Sequence, residues 1–113
     1  MRPTDLVQAQ LDAYNDRDLD RFLAAYADEV RLYRPPVEAP ALIGKPALAA
    51  FYRTRRFNVP GVRADLVSRQ TSGHLVVDHE RITGLAAEPI EALLVFRVIG
   101  GLITEVWVYD PTS

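Results

Sequence analysis

The chain has 113 residues, 49% of them hydrophobic and 25% charged, with a formal net charge of -2 and no cysteine. One hydrophobic core accounts for that length and composition, so residues 1–113 are expected to form a single domain with enough apolar surface to offset the entropy of ordering. Disulfides and thiolate chemistry are excluded, two histidines (His74 and His79) are too few for most histidine-rich metal centres, and the acidic balance argues against a nucleic-acid groove. No metal, cofactor, nucleic-acid or membrane partner is therefore expected, which leaves a small molecule or a protein. The first residues interrupt their apolar positions with Asp5, Gln8, Gln10 and Asp12, and no later apolar run approaches the roughly 20 residues of a bilayer span, so a cytoplasmic protein is the expectation.

Pro3-Thr4 followed by Leu6, Val7, Leu11 and Tyr14 predicts a first helix opened by a threonine cap. Asn15-Asp16-Arg17-Asp18 breaks the pattern, and Asp18 is placed to cap a second helix carrying Leu19, Phe22, Leu23 and Tyr26 on one face. From Glu29 the period becomes two, with Val30, Leu32 and Arg34 on one side, until Pro35-Pro36 stops strand pairing. A loop is predicted from Pro35 to Gly44, then a third helix with Pro46 in its first turn and Leu48, Phe51, Tyr52 and Arg55 on a common face. Four strands follow, over Val62–Thr71, His74–Thr83, Ile90–Ile99 and Leu102–Tyr109, with Ser72-Gly73 and Gly100-Gly101 as hairpin turns. Three helices and one strand ahead of a four-strand meander indicate an α+β fold, an antiparallel and strongly bent sheet folded over the helices.

This order of elements, together with Ala13-Tyr14-Asn15-Asp16-Arg17-Asp18-Leu19-Asp20, Tyr26-Ala27-Asp28-Glu29-Val30, Gly44-Lys45-Pro46-Ala47-Leu48 and Gly101-Leu102-Ile103-Thr104-Glu105-Val106-Trp107, resembles the nuclear transport factor 2-like superfamily, and within it the SnoaL-like and ketosteroid isomerase-like branch. The resemblance implies a cone-shaped sheet wrapped around three helices (a cystatin-like α+β roll), a deep apolar cavity, and a homodimer packed through the outer sheet face. It identifies a fold and leaves the reaction open, since this fold hosts isomerases, cyclases, dehydratases and proteins that only bind. The isomerase positions are not retained. Where similar enzymes place a general-base aspartate before a proline, this chain has Arg34 before Pro35; their oxyanion tyrosine matches Gln10, with Tyr14 one turn later on the same helical face; their protonated aspartic acid matches Leu94, ahead of Phe96-Arg97. A guanidinium cannot serve as the base. The cyclases and related epoxide hydrolases use an aspartate near the end of the last strand, and Asp110 falls at about that place.

The candidate catalytic set is then His79, Asp110 and Arg34. His79 alternates with Leu75 and Val77, and if Asp78 and Glu80 face water its imidazole faces the cavity, as a proton carrier or as a core histidine held by one hydrogen bond. Arg34 could clamp a substrate carboxylate or pair internally with Asp110 or Glu38. Tyr14, Tyr26 and Tyr52 offer hydroxyls on apolar bodies, and with Leu94 and Phe96 they make up the expected ligand wall. Trp107, opposite in parity to Asp110, is expected on the outer sheet face with Leu93, Val95 and Ile99, as part of a dimer patch. Two functions follow: a cofactor-free acid-base enzyme of isomerase, cyclase or hydratase type acting on an apolar or amphipathic ligand, or a non-catalytic ligand-binding or dimeric scaffold. Convergence of Arg34, His79 and Asp110 on a closed pocket favours the first, and an interior filled by aromatics the second.

Overall fold

A computed structural model describes residues 2–110. Helix α1 spans Pro3–Asn15, α2 Leu19–Ala24 and α3 Lys45–Arg55; the strands are β1 Tyr26–Tyr33, β2 Leu42–Ile43, β3 Arg63–Ser72, β4 Leu75–Thr83, β5 Ile90–Ile99 and β6 Leu102–Tyr109. They form one six-stranded sheet in the order β2-β1-β6-β5-β4-β3, antiparallel throughout except for the parallel pairing of β1 with β6. That parallel pair joins the early strand to the last one, so the meander closes back over the N-terminal helices. β2 lies within the segment expected to be loop, where Arg31 and Leu32 pair with Ile43 and Leu42.

Helix α1 begins one residue before the expected threonine cap, because the Asp5 carboxylate reaches back to accept the Arg2 N–H at 3.1 Å and Pro3 has no N–H to lose. Asp18 caps α2 by accepting the Arg21 N–H at 3.1 Å. Between the helices Arg17 adopts φ 56°, and its guanidinium donates to the carbonyls of Phe57 and Val59 beyond α3. Asn15 clamps β3 to α1 through both sides of the Ala64 peptide, donating to its carbonyl and accepting its N–H at 2.8 Å each. At the end of β4 a side chain on Gly84, at φ 92°, would meet the Gly61 carbonyl at 2.6 Å, so only glycine fits there.

The core lies between the concave sheet face and the three helices. Val7, Phe22, Leu48, Val76, Phe96, Ile103 and Val106 are almost fully enclosed in it. Phe22 is the centre of an aromatic cluster, its ring centroid 4.6 Å from Tyr52, 5.0 Å from Tyr26 and 5.5 Å from Phe57. Strand β4 turns Val76, Asp78 and Glu80 inward at 0, 0 and 4% exposure, and His79 outward. No helix among the described residues is long and apolar enough to cross a membrane.

Candidate functional site

The inward parity of β4 builds the site. Asp78 and Glu80 share a face with Val76 and Ile82, and burying two carboxylates in a hydrophobic interior is costly unless each is paired or neutral. Asp78 is paired: Arg69 of β3 grips it through both oxygens, Nε to Oδ1 at 2.7 Å and Nη2 to Oδ2 at 2.9 Å, and gives a further hydrogen bond to Gln8 Oε1 at 2.9 Å. Glu80 is different. Among the described residues no donor reaches its carboxyl group, which opens on a cavity instead. Burial pushes its pKa from 4.5 up to about 8, the neighbouring Asp78 charge adds to the rise, and Arg69 opposes it.

That cavity, about 60 Å³, lies between the concave face and α1, α2 and α3. Gln10, Tyr26, Phe22 and Glu80 form its buried end, while the partly exposed Arg34, Arg56 and Asp110 mark its opening. The Tyr26 hydroxyl donates to Gln10 Oε1 at 2.9 Å. Tyr14 and Tyr52 line the same cavity, and neither hydroxyl makes a hydrogen bond among the described residues. Burial raises the pKa of all three tyrosines, so they stay protonated donors; Glu80 reinforces the rise in each, and Arg56 opposes it at Tyr14 and Tyr52. At the opening Arg34 Nη1 meets Asp110 Oδ2 at 3.2 Å.

Of the candidate residues, Arg34, Asp110, Tyr14, Tyr26, Tyr52 and Leu94 converge on this cavity. His79 does not. It stands on the outer sheet face, where Nε2 lies 2.8 Å from Glu91 Oε1, and Arg81 holds the same carboxylate. The premise that Asp78 and Glu80 face water is thereby reversed, because the partly buried Arg69 and the cavity receive them. Phe96 is likewise absent from the cavity wall; it is 1% exposed and sits opposite Val76 and Val106 in the core. The cavity is also smaller and more polar than a deep apolar pocket, since the aromatic cluster fills much of the cone. Glu80, Arg56 and Gln10 line the cavity but lie outside the candidate set, Gln10 entering it only as the match to the isomerase tyrosine. The readable signal for Glu80 was that Val76, Asp78, Glu80 and Ile82 share one parity, apolar at both ends.

The SnoaL-like domain family model matches residues 7–106. The chain belongs to the SnoaL-like domain family. No curated protein matches it significantly in sequence. Among solved structures, an uncharacterised cystatin-fold protein from Novosphingobium aromaticivorans is similar, with TM-score 0.87 and 19% identity over 96% of this chain and 97% of that one. A SnoaL-like protein of unknown function from Burkholderia thailandensis has TM-score 0.79 and 23% identity over 95% and 92% of the two chains. A protein from Kribbella flavida, suggested to be a ketosteroid isomerase, has TM-score 0.83 and 20% identity over 98% of this chain and 78% of that one. At these identities the likeness establishes the fold of this SnoaL-like domain and no reaction.

Proposed function

We propose that this SnoaL-like domain is a cofactor-free acid-base catalyst that moves a proton beside a carbonyl group of a small ligand in the cone cavity. The observation that carries this reading is the Glu80 carboxyl group, 4% exposed, without a protein hydrogen bond among the described residues, and lining the same cavity as the tyrosines Tyr14 and Tyr52. With a pKa near 8 it is ionised in about one molecule in ten at pH 7, and the ionised form is a much stronger base than an ordinary carboxylate. The Glu80 carboxylate takes the proton from the carbon next to the carbonyl, the C–H electron pair forms the C=C bond of an enolate, and the carbonyl π pair moves onto the oxygen. Tyr14 and Tyr52 donate hydrogen bonds to that oxygen as it becomes negative, and Glu80 returns the proton to carbon. Tyrosine and a raised-pKa carboxylic acid are the group types that the isomerase comparison leads one to seek at Gln10 and Leu94; here other positions supply them.

Hydrogen exchange in D2O tests the step, with 2-oxobutanoate and butanone as substrates and NMR following the C3 protons. Exchange above the buffer rate is expected for at least one of them, falling by a factor of about 10² or more in Glu80→Gln. Exchange at an undiminished rate in the folded variant, or none with either compound, refutes the assignment.

The outer sheet face supports a homodimer. Trp107 stacks on Tyr33 at 5.4 Å and 11°, and Leu93 and Tyr109 remain 47% and 45% exposed on the same side of the sheet. Sedimentation should show a dimer that Leu93→Glu dissociates; a wild-type monomer at high micromolar concentration rules it out.

A further inference from the structure

We propose that the ligand of this cavity is a small carboxylic acid whose carboxylate is received at the mouth by Arg56 beside Arg34, with the atoms next to it reaching inward toward Glu80. The proposal rests on the reading of the cavity as a catalytic site and names the chemical class that the site accepts. The distribution of charge carries it. Both cations of the cavity stand at its partly exposed end, beside Asp110, and the polar groups of its buried end are hydroxyls, an amide and the Glu80 carboxyl group.

The two guanidinium groups are held over one surface, the Phe51 ring, with Arg56 5.0 Å and Arg34 6.0 Å from its centroid. Arg34 spends part of its donor fork on Asp110. Arg56 gives one hydrogen bond to the Arg55 carbonyl at 2.9 Å, and no carboxylate pairs with it among the described residues. A half-buried planar cation with donors to spare, oriented at the entrance of a cavity, suits a planar carboxylate. Size sets the rest of the ligand. The cavity is small, about 60 Å³, so the part of a ligand that passes beyond the mouth is small too. Glu80, largely neutral at pH 7, does not repel such an anion.

Butyrate and butyramide, which have nearly the same shape and differ in charge, are the probes, with binding to the full chain followed by NMR chemical-shift titration at pH 7. Butyrate is expected to shift resonances of Tyr14, Tyr52 and Phe51 and to bind at least about tenfold more tightly than butyramide. Arg56→Gln should remove that preference and Arg56→Lys restore part of it, while Arg53→Gln, on an exposed residue of α3 away from the cavity, should leave it unchanged. Equal affinity for the two probes, no butyrate binding, or an undiminished preference in folded Arg56→Gln overturns the proposal. Glu80→Gln separates it from the catalytic reading. A retained butyrate preference with no exchange activity in the wild type leaves the ligand class standing and refutes the catalysis. Exchange of butanone without butyrate binding does the reverse.

Discussion

Glu80→Gln should convert a stability that declines with pH into one that is nearly level. The native-state pKa near 8 stands above the ordinary 4.5, so between those values the folded protein holds a proton that the unfolded chain has released. The unfolded state then binds fewer protons, and stability falls as pH rises through the window. The difference between about 8 and 4.5, at 1.36 kcal/mol per pH unit, comes to a loss of up to about 5 kcal/mol by the point at which native Glu80 ionises. That is a large share of the 5–15 kcal/mol typical of a domain. Glutamine keeps the shape of the protonated acid and cannot ionise, so the variant should match the wild type near pH 4.5 and exceed it by several kcal/mol near pH 8. Urea unfolding at intervals from pH 4.5 to 8.5 measures both curves. Parallel curves, or a wild-type stability that rises across this window, would falsify the burial argument for Glu80.

Four further outcomes follow from the same packing. Arg69→Met leaves the fully buried Asp78 without its cation and should cost about 3–5 kcal/mol in chemical denaturation, whereas a loss below 1 kcal/mol would mean that the pair is not structural. Asp78→Asn removes a negative neighbour and should lower the Glu80 pKa, read by carboxyl NMR titration; an unchanged or higher value contradicts the electrostatic cause given above. Phe22→Ala should destabilise the domain by about 3–5 kcal/mol and widen the cavity, seen as binding of apolar probes larger than butyrate. His79→Ala, by contrast, should leave exchange activity and butyrate binding intact, and loss of either would return this residue to the site.

Most of the secondary structure was legible in local residue patterns. The cap at Asp18, the proline-opened third helix and the glycine-bearing hairpins are local events, decided by which backbone angles and hydrogen bonds a few neighbouring residues can satisfy. The family resemblance rested on these features and the family match agrees with it. The start of β1 was less legible, because Tyr26 fits the apolar face of a continuing α2 until pairing with Ile103 claims it for the sheet.

The sequence by itself determined that β4 has two faces and which residues share each. Only the tertiary structure decided which face points inward, because that choice depends on partners remote in the chain. Taken alone, Asp78 and Glu80 belong in water, where ionised carboxylates are best solvated. The bidentate Arg69 makes an interior Asp78 tolerable, and proximity to that pair, in a cavity walled by α1 and α3, leaves Glu80 buried with its proton. His79 is turned outward by the same rotation. A period of two fixes the alternation, while the free energy of burying one face rather than the other is set by the helices and strands that come to lie against it.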